Sequence, residues 1–296
     1  MSIHKDVEIY LQEHPDIRLL RRVPFTNPSP AKPYFPLVFN PAQGDEIEVV
    51  VLDVETTGLD CKQHEIIELG LVKLLVSAST GGIHKIMGSL SLFEQPKVPI
   101  TQEITDITHI TQEMVAGETF DVLGIESIFN TVSLVIAHNA EFDRGFFDTR
   151  FPTLQNLPWA CSIKDIQWKN YGLEGRQLMS LVSQCGYFYE GHRADIDCIA
   201  TLRLFMDKEG SMQEILHKAL EENVRIHCYT APYRIKDALK ENGYKWDAKA
   251  EPAHWRKDVP AMDVDAEWSF LAKLAPNQLS NYVCTPINRF NRYKPS

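Results

Sequence analysis

Three long apolar runs lie between Ile47 and Phe93 with only short breaks between them. Ile47–Glu55 is the first, and Glu65–Leu75 the second, with an Ile66-Ile67-Leu69-Leu71 apolar face. Ile83–Phe93 follows a Ser-Thr-Gly-Gly turn at residues 79–82. Runs of this composition bounded by turn residues read as strands. Helical patterns come next, around 119–130, then a short buried strand at Leu134–Ala137, then helices near 140–150, 175–186 and 193–206. Three meandering strands followed by alternating helices and strands predict an α/β domain with a mixed sheet, covering residues 47–208.

Composition narrows the class. The 296 residues are 44% hydrophobic and 24% charged, which suits a soluble globular chain with a sizeable core. No apolar run approaches the roughly 20 residues that span a bilayer, and the first residues alternate charged and apolar side chains unlike a secretory signal, so no membrane role is expected. Cys61, Cys161, Cys185, Cys198, Cys228 and Cys284 are scattered without a CxxC pair, which predicts reduced thiols in a cytoplasmic protein. The net charge of −10 is unevenly placed. Residues 47–206 hold 11 Lys+Arg against 21 Asp+Glu, whereas residues 225–257 hold 8 against 4. The acidic excess lies where divalent cations would bind and the basic excess beyond it.

The flanks divide into further units. Residues 1–46 read as a short helix at 4–13 and a proline-rich arm from Pro24 to Pro41, with Tyr34, Phe35, Leu37 and Phe39 seeking burial on the next domain. Residues 223–275 read as a small α+β module. It has a strand at Val224–Tyr229, a helix at Ile235–Asn242 stopped by Gly243, short strands around Trp246 and Trp255, and a helix at Met262–Leu274. Residues 276–296 read as a loose tail.

Three stretches carry the chemistry: VLDVETTGL at Val51–Leu59, AHNAEFD at Ala137–Asp143 and HRADID at His192–Asp197. Asp53 and Glu55 are two apart at a strand end, so their carboxylates share one face while Val54 faces the core. Thr56-Thr57-Gly58 then makes a tight turn whose N–H groups can meet a phosphate or sugar. Asp143 lies at a strand-to-helix junction, and Asp197 in the first turns of a helix that follows His192. Asp195 sits where it could cap that helix. Each motif alone is also what a solvated strand end or a helix start carries. Four acids drawn to one point repel unless cations neutralise them, and all-oxygen ligation selects Mg²⁺ or Mn²⁺. Two such ions can clamp a phosphate, with a near-neutral histidine as general base. The reaction class is metal-assisted phosphodiester hydrolysis.

The order DxE, HNxxFD, HxxxxD resembles the DEDDh 3′–5′ exonucleases, a family that includes the proofreading epsilon subunit of bacterial DNA polymerase III. IIELGLVKL (66–74), ITDITHITQEMVAG (104–117) and ATLRLF (200–205) are also similar to segments of that family, and the flanks resemble its stand-alone bacterial epsilon-like members. The resemblance implies a ribonuclease H-like, five-stranded mixed sheet flanked by helices. It implies that Asp53, Glu55 and Asp197 hold one metal, that Asp53 and Asp143 anchor a second, and that His192 is the base. Thr56, Thr57, Gly58 and Leu59 would contact the 3′-terminal nucleotide, Leu59 as a wedge, and His138, Asn139 and Phe142 would line the same pocket. The implied activity is release of 5′-monophosphates from 3′ ends of single-stranded or frayed DNA, in proofreading or repair. RNA or short-oligonucleotide trimming, or a non-catalytic scaffold in a replication or defence complex, remain the alternatives.

In the module, Lys236, Lys240, Lys245, Lys249, Arg256 and Lys257 interleave with Tyr233, Tyr244, Trp246 and Trp255. That pattern suits single-stranded nucleic acid, and equally a small core of two tryptophans coated by lysines. Gln278-Leu279-Ser280-Asn281-Tyr282 faintly resembles a sliding-clamp pentapeptide, with Asn281 where an apolar residue is expected. A DNA polymerase or clamp partner is therefore a weak expectation.

Overall fold

The computed structural model describes residues 7, 10–14, 16–25, 35–248 and 250–294. The expectations for Tyr34 and Lys249, and much of those for the 4–13 helix and the arm, fall outside the described residues. In chain order the strands are β1 (Arg21–Arg22), β2 (Leu37–Val38), β3 (Glu46–Thr56), β4 (Ile66–Ser77), β5 (Ile83–Phe93), β6 (Val132–Ala137), β7 (Trp159–Cys161), β8 (Tyr187–Phe188), β9 (Asn223–Cys228), β10 (Lys245–Asp247), β11 (His254–Pro260) and β12 (Tyr282–Ile287). The helices are α1 (Gln102–Thr108), α2 (Gln112–Val115), α3 (Val122–Phe129), α4 (Ala140–Arg150), α5 (Leu178–Gln184), α6 (Ala194–Asp207), α7 (Ser211–Leu220), α8 (Lys236–Glu241) and α9 (Val264–Leu274).

The main sheet has the order β2-β5-β4-β3-β6-β7. β3, β4 and β5 form the expected antiparallel meander, and β6 and β7 run parallel to β3. Leu37–Val38 pairs with β5, so six strands replace the expected five. The extra strand comes from the arm, where Phe35 and Leu37 pack on the core and the Phe39 N–H donates to the His84 carbonyl at 2.9 Å.

Alternation along β3 builds two cores. Val49 and Val51 pack with Cys198, Leu202 and Phe205 of α6, while Val50, Leu52 and Val54 pack with Phe146 and Phe147 of α4. Each fully buried Val or Leu contributes about 2 kcal/mol, so covering both faces is what holds the helices to the sheet. Parallel β3, β6 and β7 all end at one edge, where functional side chains of α/β sheets gather.

A second, four-stranded sheet has the order β10-β11-β9-β12. Its last strand lies beyond residue 275, within the stretch expected to be a loose tail. Leu279 packs against this sheet's core and Tyr282 is buried in it, so the clamp-like pentapeptide is folded into the module rather than displayed. Residues 288–294 then return to the main domain. The Arg289 carbonyl accepts from Trp159 N at 2.7 Å, and Tyr293 Oη donates to Asp165 Oδ1 at 2.6 Å. Buried Arg292 donates to the carbonyls of Lys218 and Glu221, each at 2.8 Å. Among the described residues, no helix is long and apolar enough to cross a membrane.

Candidate active site

Asp53 and Glu55 lie on β3 just before it ends, and α6 brings Asp197 to them. One carboxylate oxygen from each of the three lies within 4.8 Å of the other two. The close approach has a local cause. Gly70 is the cross-strand partner of Asp53, and a Cβ there would collide with the backbone of Ala194 and Asp195. The missing side chain lets the start of α6 settle onto the sheet. Asp143 arrives from the first turn of α4, is buried, and accepts from Val54 N at 3.2 Å. That bond ties it to β3 at the residue between the two acids in sequence, while the mutually close set remains Asp53, Glu55 and Asp197.

Burial and mutual repulsion set the electrostatics. Burial, then Asp143, Asp197 and Glu55, push Asp53 well above the usual carboxylate range. Glu55 is pushed up to about 8 by burial and Asp197, Asp143 to about 7 by burial, and Asp197 to about 6 by burial. Among the described residues, no lysine forms an ion pair with this group. The cation nearest in sequence, Arg193, is committed to Glu68, donating from Nε and Nη2 at 3.0 Å each. All-oxygen donors whose like charges outweigh the nearby cations are the chemistry that hard divalent cations satisfy.

Residues 50–205, more than half of the chain, match the exonuclease family described as RNase_T. The chain belongs to this exonuclease family. The DEDDh resemblance read from the three motifs agrees with that membership. The chain is 36% identical over 174 residues to the PolC-type DNA polymerase III of Clostridium perfringens, a span of 56% of this chain and 12% of that protein. It is 30% identical over 233 residues to the PolC-type DNA polymerase III of Staphylococcus epidermidis, covering 74% of this chain and 14% of that protein. The chain therefore spans a small part of these relatives' length. Among solved structures, exonuclease X in complex with 5′-overhanging duplex DNA is 24% identical, with a TM-score of 0.41 over 57% of this chain and 99% of that chain. The nuclease domain of 3′hExo, a DEDDh family member bound to rAMP, is 17% identical, with a TM-score of 0.40 over 56% of this chain and 94% of that chain.

His192 stands exposed immediately before α6, with a φ of 63°. This left-handed conformation is uncommon for a residue with a side chain and is held by its neighbours. Next to it, Arg193 is clamped by Glu68, whose fully buried carboxylate also accepts from Ala194 N at 3.2 Å and Ser91 Oγ at 2.6 Å. Asp197 accepts from Arg193 N at 3.2 Å and from the buried Tyr189 hydroxyl, which burial keeps protonated. The charge of His192 also acts on Asp197.

Glu68, Arg193 and Tyr189 were not singled out from the sequence. Glu68 did leave a signal, a carboxylate in the middle of the apolar IIELGLVKL run. Asp195 proves to be a first-turn residue of α6 rather than its cap, because Arg193 occupies the cap position.

The other predicted residues divide. Thr57 N donates to the Glu65 carbonyl at 2.9 Å, and Thr56 Oγ1 donates to the Gly58 carbonyl at 2.6 Å, which shapes the turn after the acids. A Cβ on Gly58 would collide with the His64 ring. Leu59 is 88% exposed beyond that turn. Asn139 is exposed at the cap position of α4, and half-buried Phe142 packs on Phe146 with ring centroids 5.0 Å apart. His138 differs from expectation. It is buried, with Nδ1 2.6 Å from Ser162 Oγ and Nε2 2.8 Å from the Arg176 carbonyl, and burial lowers it to about 4. Its polar atoms serve internal bonds, tying the start of α4 to the 162–176 segment instead of facing a ligand.

Proposed function

We propose that the protein is a metal-dependent 3′–5′ exonuclease that hydrolyses single-stranded or frayed DNA ends to nucleoside 5′-monophosphates. The supporting observation is the convergence of Asp53, Glu55 and Asp197 within 4.8 Å, with Asp143 held on Val54 N beside them. These side chains fit a pair of Mg²⁺ or Mn²⁺ ions: Asp53, Glu55 and Asp197 would hold one, and Asp53 with Asp143 the other. Such ions supply charge neutralisation at the phosphate and at the leaving 3′ oxygen. His192 accepts the proton of the attacking water, as an exposed imidazole beside the acids can. Glu68 and Arg193 keep it there, acting as positioning residues. Leu59 wedges against the terminal base, while Asn139 and Phe142 line the wall across from it. Six unpaired thiols, which a reducing compartment preserves, support a cytoplasmic setting for this reading.

A time course on 5′-labelled single-stranded DNA and RNA, with Mg²⁺, Mn²⁺ or EDTA, tests this reading. A shortening ladder on DNA is expected from wild type in either metal and from neither Asp53→Ala nor His192→Ala. A ladder that persists in EDTA or in Asp53→Ala would overturn it, and preferential shortening of RNA would reassign the substrate.

A further inference from the structure

The module's sheet has two unlike faces. Ile226, Cys228, Trp255 and Tyr282 pack beneath Leu239 of α8 and Leu271 of α9. Tyr244 and Trp255, counted among candidate base-stacking rings from the sequence, are both buried there. Strand register puts Arg225 and His227 of β9 on the opposite side, with Arg256 directly across from His227 and Lys245 across from Arg256, and Tyr229 follows just past the strand's end. The His227 and Tyr229 rings lie 5° from parallel with centroids 5.8 Å apart, and neither ring is buried. His254 packs against both, at 4.9 and 4.4 Å, and fixes them. The result is a short strip of stacked aromatic rings on the face away from α8 and α9.

Cations frame it. Arg225 donates to Asp258 from Nε and Nη2 at 2.7 and 2.8 Å, which orients the guanidinium and leaves the Nη1 hydrogens outside that pair. Arg256 Nε is 2.8 Å from Asp247, and Lys245 is exposed. The return of residues 288–294 to the main domain ties the module to it through Arg144 and Asp165.

We propose that this strip binds the single strand upstream of the 3′ end that the acidic pocket holds, bases stacking on His227 and Tyr229 and phosphates meeting Arg225, Arg256 and Lys245. It rests on the exonuclease reading above and adds a second contact region to it. Stacking on aromatic rings beside backbone-tracking cations is the general chemistry of sequence-tolerant single-strand binding.

The test compares full-length wild type with Tyr229→Ala, His227→Ala and the exposed Lys245→Glu on thymidine oligonucleotides of about 20 and about 3 nucleotides. The expected result is a roughly tenfold higher KM for the longer substrate with unchanged kcat, and unchanged kinetics on the shorter one, which is too short to reach the strip. Equal loss on both lengths, or no change on either, overturns the proposal. The second outcome would leave the face to a protein partner. Anisotropy of a labelled 20-mer in Ca²⁺ reads the same contact without catalysis. Wild type that cuts neither length yet binds the long strand through Tyr229 would sink the exonuclease reading and keep the strip. Binding unaffected by all three substitutions sinks the strip whatever the activity.

Discussion

Asp143 and Arg144 are adjacent on α4, both buried, and the protein treats their charges in opposite ways. Asp143 joins three other acids and is pushed up to about 7, chiefly by burial. Arg144 is met on every side. It donates to Asp148 at 3.1 Å, to the carbonyls of Arg292 and Phe290 at 2.8 Å each, and to Gln155 at 2.9 Å. One charge is left for something from outside to satisfy, and the other is settled internally. Buried charge without full internal compensation is the pattern of a candidate site, while buried charge with full compensation is that of architecture.

Substitutions on the two sides should separate along that line. Asp53→Asn is expected to cost about 10³-fold or more in kcat while raising the metal-free melting temperature, because it removes repulsion. A fall in both, measured by single-turnover assay and calorimetry in EDTA, would count against an uncompensated site. Arg144→Met should do the reverse first, costing about 3 kcal/mol in a denaturant melt, since it strands Asp148 and three carbonyls. Glu68→Gln belongs between them. It leaves the acids in place but loosens the His192–Arg193 corner, so kcat should fall roughly 10-fold with KM unchanged and folding retained.

Protonation sharpens the contrast further. The folded-state pKa values of Glu55, Asp143 and Asp197 are raised, to about 8, 7 and 6. The stability they lend is fully present below their ordinary range and is lost as pH rises through those values. The metal-free protein should therefore melt lower at about pH 8.5 than at about pH 5, and Mg²⁺ should restore more at the alkaline end. A metal-induced gain that is equal at both pH values would contradict the assignment. The smallest effect is reserved for Leu59→Ala, where an exposed side chain leaves stability unchanged and a wedge role raises KM by about threefold.

The main strands were legible because burial on both faces demands uninterrupted Val, Ile and Leu, and Ile83–Phe93 occupies the residues expected of it. The approach of Asp53, Glu55 and Asp197 was equally readable from their spacing, since each stands near the end of a regular element. Helices α1 and α2 were not, being only seven and four residues long, with the Thr101 side chain supplying the cap of α1. The fate of His138 depended on a carbonyl 38 residues away, which no local pattern carries. The same holds for NRFNRYK at 288–294. Its polar sequence reads as solvated, yet its carbonyls complete the shell of a cation 148 positions earlier.

That last span has a consequence for biosynthesis. A ribosome making this chain releases the acid-bearing helix long before it releases Phe290 and Arg292, whose carbonyls Arg144 needs. Until then the guanidinium beside Asp143 lacks two acceptors, and closing so long a loop is entropically slow. The nascent domain thus stays short of its full internal pairing until residues 290 and 292 have been made and have folded back.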